Sequence, residues 1–237
     1  MIRDFYFKQF SIRQNNVAMK VGTDGVLLGS WVKLDSNLDR ILDIGTGSGL
    51  IALMLAQRSE VSVIDAVEIN NKAFAQAKDN FNLSIWSNRL FCHHSCFKDF
   101  CTNIERRYDL IISNPPFHKS TNRFSSSDRN MARNLSFLPF TDLLFGVRKL
   151  LTLNGTCAFV IPYIEKNEFI RMAKDYGLFP FKITNVKGSV KSPIKRTLIQ
   201  FSFFSKKIFE HELIIEYSRH NYSLEYIKLV KDFYLNM

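Results

Sequence analysis

The chain has 237 residues and a mass of 27.5 kDa, and 46% of its residues are hydrophobic. This length is sufficient for one sizeable core and does not require a second domain. The apolar runs are short and interrupted by charges, so no membrane span is predicted, and the N-terminal residues lack the apolar stretch of a secretion signal. We therefore expect a cytoplasmic protein. The formal net charge of +10 favours a polyanionic partner.

A glycine-rich turn follows a short predicted strand, Ile41–Ile44, and precedes a helical stretch that begins at Leu50. Glycine lets the backbone turn tightly and lets a ligand approach it closely. The spacing here is G-x-G-x-G, which is tighter than the dinucleotide-binding fingerprint. We therefore predict a nucleotide-type cofactor site. Its candidate residues lie at the strand end and in the turn: Asp43, Gly45, Thr46, Gly47 and Gly49.

A carboxylate ends the second predicted strand, Ser62–Val67, and a helix is predicted after it near Lys72–Asn80. Glu68 follows the glycine turn by roughly twenty residues, the separation at which a carboxylate holds ribose hydroxyls. We take Glu68 as a further cofactor-binding candidate.

Three of the four cysteines and an adjacent pair of histidines lie in or just after the third predicted strand, Leu90–His93. Zinc sites usually contain paired short spacings such as C-x-x-C, and this chain has no such repeat. We predict no metal site, and we expect the thiols to stay free in a reducing compartment.

The fourth predicted strand, Leu110–Ser113, ends in the tetrapeptide Asn-Pro-Pro-Phe. Proline restricts both its own backbone and that of its predecessor, so the Asn114 side chain and the Pro115 carbonyl can be aimed. These two acceptors would bind both N–H groups of a planar amine, and Phe117 would offer a face on which a base stacks. The catalytic candidates are Asn114, Pro115, Pro116 and Phe117; the alternative is a plain loop.

The rest of the chain continues the alternation of helices and strands. A helix is predicted at Phe140–Leu151 and ends at Asn154-Gly155, and strands are predicted at Thr156–Ile161, Ile183–Val186 and Thr197–Phe204. Such alternation predicts a parallel sheet covered by helices on both faces. The polar stretch 119–134 is expected to be a loop that closes over the base.

Basic residues occur in that polar stretch and in the loop that joins the last two predicted strands. Together they would form a positive rim that grips nucleic-acid phosphates, although each charge alone could simply keep the surface soluble. The candidates are Lys187, Lys191, Lys195, Arg196, Arg123, Arg129 and Arg133.

The glycine turn with its preceding Asp43 resembles motif I of class I S-adenosylmethionine-dependent methyltransferases, and Asn-Pro-Pro-aromatic resembles the amino-group methyltransferases. The resemblance narrows with the N-terminal run Phe5–Phe10 and the block Lys-Val-Gly-Thr-Asp-Gly within Ala18–Gly29. These segments, and the ending from Asn221 to Leu235, resemble the bacterial valine-tRNA adenine-N6 methyltransferases over essentially the whole chain.

The resemblance implies a Rossmann-like α/β fold with a seven-stranded, mostly parallel sheet and a closing antiparallel hairpin. It implies one methyltransferase domain, residues 1–237, in which 1–38 cover cofactor and substrate and 39–237 form the catalytic core. The cofactor would be S-adenosylmethionine, with Lys20, Thr23 and Asp24 over its methionine end. The reaction would methylate N6 of the adenosine 3′ of the anticodon in valine tRNA, by a monomer without metal.

One departure and three alternatives stand beside this interpretation. Ser95 and Cys96 occupy the place where many relatives have an acidic residue near the cofactor adenine. The residue that recognises the adenine is therefore unassigned, and Asp99 is the alternative candidate.

The Asn-Pro-Pro-aromatic loop also occurs in guanine-N2 methyltransferases acting on ribosomal RNA and in protein-glutamine N5-methyltransferases. From another class, the chain could be a basic RNA-binding module with a vestigial cofactor pocket.

Overall fold

The computed structural model describes residues 4–17, 19–115 and 138–237. The strands are β1 (Phe5–Tyr6), β2 (Ser11–Ile12), β3 (Arg40–Ile44), β4 (Val63–Glu68), β5 (Leu90–His94), β6 (Tyr108–Ser113), β7 (Leu151–Pro162), β8 (Phe179–Ser189), β9 (Ile194–Ser202), β10 (Phe209–Ser218) and β11 (Asn221–Tyr222). The helices are α1 (Thr23–Trp31), α2 (Leu50–Arg58), α3 (Asn71–Asn82), α4 (Phe97–Asn103), α5 (Phe140–Leu150), α6 (Lys166–Asp175) and α7 (Leu224–Val230), with a 3-10 turn at Tyr163–Glu165.

One large sheet organises the described residues, in the strand order β11-β10-β8-β9-β7-β6-β3-β4-β5. The five strands from β7 to β5 in this order are parallel, whereas β9 runs antiparallel to both β7 and β8. This confirms the α/β class and the closing antiparallel pair. The strand count was wrong, because β10, parallel to β8, and β11 extend the described sheet from seven strands to nine.

Two apolar cores lie on the two faces of this sheet. One is formed with α1, α2 and α7, and the other with α4, α5 and α6. Helix α1 packs closely on α2, since a Cβ at Gly29 would lie 2.8 Å from the Met54 sulfur. The central strands are apolar along almost their whole length because both faces are covered.

Two predicted boundaries differ from the structure. Asn154 and Gly155 lie inside β7 rather than in a loop, in an irregular stretch where the pairing with β6 shifts register. The predicted basic loop is shorter than expected, since β8 continues to Ser189 and β9 begins at Ile194. The structure therefore places Lys187, Lys195 and Arg196 in strands. Apolar residues on the adjacent strands keep β8 and β9 paired almost to the tip of the hairpin.

The first and last parts of the chain are joined by direct contacts. Phe7 forms an isolated bridge with Tyr234, and the Lys8 amide donates to the Phe233 carbonyl at 2.8 Å. The rings of Phe7 and Tyr234 are stacked, with centroids 5.8 Å apart. The N-terminal segment is thereby part of the packed fold. Among the helices that the structure describes, we find none with both the length and the apolar character needed to cross a membrane.

Candidate active site

The predicted site residues converge at the carboxyl edge of the parallel strands. Ile44 at the end of β3 pairs with Val67 of β4 on one side and with Ser113 of β6 on the other. The glycine turn, Glu68 and Asn114 follow these positions directly, so three separate segments meet at one edge of the sheet. A crevice at this edge is where ligands bind in open α/β sheets.

The glycine turn has a conformation that favours glycine at all three positions. Gly45, Gly47 and Gly49 have φ values of +68°, +60° and +84°. A Cβ at Gly45 or Gly47 would meet no atom within 4 Å, so the backbone faces open space at both residues. Gly49 differs, because a Cβ there would lie 2.5 Å from the Phe81 ring. The turn thus exposes its backbone to open space at Gly45 and Gly47, whereas at Gly49 it packs tightly against α3.

Asp43 is buried at the end of β3 and stabilises the start of the turn. Its carboxylate accepts a hydrogen bond from the Thr46 hydroxyl at 2.6 Å. Burial raises the pKa of Asp43 to about 7, with the nearby Glu68 carboxylate acting in the same direction and the hydrogen bond from Thr46 opposing it. The turn therefore closes over a carboxyl group whose neutral form is favoured by its surroundings.

Glu68 is buried and links two backbone segments. One carboxylate oxygen accepts from the Gly47 amide at 2.9 Å, and the other accepts from the Asn70 amide at 2.8 Å. Each oxygen keeps a further lone pair, so the carboxylate can also accept hydroxyl donors from a ligand. The carboxylate lies directly beside the open side of the glycine turn.

Asn114 lies at the end of β6, beside the glycine turn. The Ser113 hydroxyl donates to the Ile44 carbonyl at 2.8 Å and fixes the end of β6 against β3. The Asn114 side-chain oxygen is buried and accepts no hydrogen bond from the described residues. Burying such an acceptor without a donor costs about 1–3 kcal/mol. Pro115 is buried next to it.

Five other predicted residues fall outside the residues that the structure describes. These are Pro116 and Phe117 of the tetrapeptide and the basic residues Arg123, Arg129 and Arg133.

The N-terminal block reaches the same edge through α1. Thr23 and Asp24 begin this helix, and Gly25 follows against Leu50, the residue after the glycine turn. Asp24 forms an ion pair with Arg196 of β9 at 2.5 Å. Burial raises the pKa of Asp24, and the Arg196 guanidinium opposes that rise. Lys20 precedes the helix and is exposed.

The basic hairpin divides into paired and unpaired charges. Arg196 is engaged with Asp24, and Lys187 forms an ion pair with Glu212 at 3.0 Å. Lys191 and Lys195 are exposed and have no acidic partner within the described residues. Two of the four predicted phosphate-binding residues in the hairpin therefore hold parts of the protein together in this structure.

Two features of the site were missed by sequence reasoning. Asn80 of α3 donates to the Ser48 carbonyl at 2.8 Å and also bonds both backbone groups of Arg13, so it ties the N-terminal segment to the glycine turn. Ile69, exposed directly after Glu68, places apolar surface beside the carboxylate. The sequence gives no signal for it, because single exposed apolar residues are common on protein surfaces.

The cysteines and histidines have structural contacts. His93 bonds Asp65 at 2.7 Å, and the Cys96 sulfur accepts from the Asp99 amide at the start of α4. All four cysteines are free, and burial raises the pKa of Cys92 and Cys101 to about 12. Within residues 4–17, 19–115 and 138–237, no group of three or more His, Cys, Asp or Glu side chains is arranged as a metal site.

The strand order and the glycine turn define a class I methyltransferase. Residues 22–135 match the family described as "Methyltransferase small domain". Two solved structures share the fold at low identity. A predicted O-methyltransferase from Agrobacterium tumefaciens has a TM-score of 0.69 at 16% identity, covering 89% of this chain and 96% of its own. The ribosomal protein L11 methylase from Lactobacillus delbrueckii subsp. bulgaricus has a TM-score of 0.57 at 14% identity, covering 79% and 82%.

Curated relatives define the family more narrowly. A protein from Christiangramia forsetii is 49% identical over 98% of both chains, and one from Flavobacterium johnsoniae is 49% identical over 98% of this chain and 100% of its own. A Bacteroides fragilis relative is 46% identical over 98% of both. All three are named tRNA1(Val) (adenine(37)-N6)-methyltransferase, and the chain belongs to this family.

Proposed function

We propose that the chain transfers a methyl group from S-adenosylmethionine to the N6 amine of the adenosine immediately 3′ of the anticodon in valine tRNA. The names of the curated relatives support this substrate. The observation that carries the chemistry is the buried Asn114 side-chain oxygen, which has no donor among the described residues and lies beside the glycine turn. An exocyclic amine on a base would supply the N–H group that this oxygen needs as a hydrogen-bond partner.

The residues at the carboxyl edge fit S-adenosylmethionine. The bare backbone at Gly45 and Gly47 leaves room for the methionine part, and Glu68 retains lone pairs for ribose hydroxyls. Asp43 and Thr46 would hold the turn, while Thr23 and Asp24 at the start of α1, with Lys20 before it, would cover the methionine end. When bound, this cofactor supplies an electrophilic methyl group on a sulfonium sulfur.

The protein's contribution is then mainly orientation. Asn114 would accept one N–H of the target amine, and the Pro115 carbonyl the other, so the nitrogen is held with its lone pair free. Pro116 and Phe117 complete this proposed catalytic set. No strong base is required, because the amine loses its proton after the methyl group has been transferred.

The net charge of +10 and the exposed Lys191 and Lys195 favour a tRNA partner. We propose that the chain acts as a monomeric single methyltransferase domain without metal, in the cytoplasm where tRNA is modified. Residues 1–38 would serve as the covering segment and 39–237 as the catalytic core.

The test is methyl transfer from labelled S-adenosylmethionine into unmodified valine tRNA, followed by nucleoside identification. Asn114→Ala should reduce the rate by about a hundredfold or more, because it removes one preorganised polar contact. Its affinity for S-adenosylmethionine in calorimetry should stay near that of the wild type. Asn103→Ala is the control and should retain full activity, because Asn103 is exposed at the end of α4, away from the carboxyl edge of the sheet.

Each alternative has a distinct outcome. Label in N2-methylguanosine of ribosomal RNA, or in methylglutamine of a protein, would replace the proposed substrate. Absence of cofactor binding by the wild-type protein would favour an RNA-binding module. Near-normal turnover by Asn114→Ala would mean that the amine is held elsewhere.

A further inference from the structure

Two exposed apolar side chains lie next to each other at the carboxyl edge of β7. Tyr163 is 39% exposed and Ile164 is 86% exposed, the largest value among the exposed large hydrophobic residues described. They lie in the 3-10 turn Tyr163–Glu165, which follows the last residue of β7, Pro162. Single exposed apolar residues are common on protein surfaces, so their position decides whether they matter.

The sheet register places this pair between the candidate active site and the basic hairpin. Strand β7 lies between β6 and β9, with Ser113 paired to Phe159 and Pro162 paired to Arg196. Neighbouring strands are about 4.8 Å apart, and Asn114 comes opposite Val160, so Tyr163 lies one strand over and three residues, roughly 10 Å, further along. On the other side, β9 begins just after the hairpin tip, where Val190 is also exposed beside Lys191.

The turn that carries the pair is held by its surroundings. The next helix begins with Lys166, which forms an ion pair with Glu210 and donates to Asn185 at 3.3 Å. The Lys166 ammonium lies 5.6 Å from the centroid of the Tyr163 ring. The ring therefore has a cation near it and is presented from an ordered turn, which lowers the entropic cost of binding a partner.

We propose that Tyr163 and Ile164 form a stacking platform for the single-stranded nucleotides that flank the target adenosine. This inference rests on the proposed function, because it assumes that RNA enters at the carboxyl edge. A base that must reach Asn114 has left its stack, and its neighbours lose their own stacking partners. An aromatic ring and an apolar side chain at the rim replace those partners, while Lys191 and Lys195 contact the adjoining phosphates.

If this platform binds RNA, removing the Tyr163 ring should lower the affinity for RNA by a factor that does not depend on the salt concentration. The probe is a fluorescent anticodon stem-loop of valine tRNA, with binding followed by anisotropy across a salt series. Tyr163→Ala should weaken binding by about tenfold to a hundredfold, as removal of one base-stacking ring does, without changing the slope of affinity against salt. Tyr163→Phe keeps the ring and should bind as the wild type does. Leu153→Ala is the matched control, since Leu153 is 67% exposed near the other end of β7.

A double-mutant cycle identifies the stacked nucleotide. A stem-loop with an abasic residue beside the target should bind the wild-type protein as weakly as the intact RNA binds Tyr163→Ala, and the two losses should not multiply. Wild-type affinity of Tyr163→Ala, or losses that multiply at every flanking position, would overturn the platform. Unchanged calorimetric affinity for S-adenosylmethionine and unchanged thermal unfolding show that the variant is folded.

The binding measurement also separates this inference from the proposed function. If the wild-type protein binds the stem-loop through Tyr163 yet leaves the adenosine unmethylated, the platform stands and the proposed reaction fails. If methylation proceeds normally in Tyr163→Ala at limiting RNA, the reaction stands and the platform is wrong.

Discussion

Gly47 and Gly49 have similar backbone conformations but different surroundings. Both have a left-handed φ, but a Cβ at Gly49 would lie 2.5 Å from the Phe81 ring, whereas one at Gly47 would meet no atom within 4 Å. We predict that Gly49→Ala mainly lowers the stability of the fold. Gly47→Ala should mainly weaken S-adenosylmethionine binding, because its methyl group projects into the space assigned to the cofactor.

The magnitude follows from comparing the two variants. An alanine in the left-handed conformation costs about 1–2 kcal/mol, and the reduced entropy of the unfolded chain returns about 0.4–1 kcal/mol. These contributions are common to Gly47→Ala and Gly49→Ala and cancel in the difference. What remains is the overpacking against Phe81, about 1–3 kcal/mol. For a chain of this size the melting temperatures should differ by about 2–12 °C.

Thermal unfolding without ligand measures the first effect and calorimetry the second. Gly47→Ala should bind S-adenosylmethionine roughly tenfold more weakly or worse, a loss of at least about 1.4 kcal/mol. Gly177→Ala is the control, since Gly177 has a φ of +74° after α6 and should share the strain without losing affinity. Wild-type affinity in Gly47→Ala would refute the placement of the cofactor. Equal melting temperatures for the two alanine variants would refute the packing argument.

Three further predictions concern charge. Because burial raises the pKa of Asp43 to about 7, this group contributes stability that is fully present below its ordinary pKa of 3.8 and is lost as the pH rises through 7. In urea unfolding, the wild type should therefore lose stability relative to Asp43→Asn between pH 4 and 8, and a constant difference would contradict this. Arg196→Ala should raise the pKa of Asp24 further in a carboxyl NMR titration, since Arg196 lowers it; an unchanged titration would mean that the pair is absent in solution. Changing Lys191 and Lys195 to Ala should flatten the salt dependence of tRNA binding by roughly two units, one for each contact. Arg196→Ala should leave that slope unchanged, and a fall of one unit would show that Arg196 leaves Asp24 to bind phosphate.

The central strands, and the placement of the candidate site residues at their ends, could be predicted from sequence because burial on both faces makes these strands continuous apolar runs. The run before Asp43 and the run before Asn114 each end abruptly in polar or glycine residues. Parallel strands then bring such ends to one edge without further information. The apposition of Glu68 with the Gly47 amide follows from the same rule, although the hydrogen bond itself was not predicted.

Elements that depend on distant partners were not predictable in this way. Strand β10 carries charges along its length and buries only Leu213, so its extended form depends on pairing with β8. Helix α1 contains Gly25 and Gly29, which lower its intrinsic helix propensity and are explained only by the close approach of α2. The ion pair between Asp24 and Arg196 joins residues far apart in the sequence. No local pattern distinguishes that arginine from one free to bind phosphate.

The contact between Phe7 and Tyr234 has a consequence for synthesis on the ribosome. The aromatic side chains of Phe5 and Phe7 are synthesised long before the Tyr234 ring that packs against them. Contacts between residues so distant in sequence form late in folding. The same N-terminal segment is tied through Arg13 and Asn80 to the glycine turn. We expect the nascent chain to have an incomplete cofactor pocket until the segment that contains Tyr234 has left the exit tunnel.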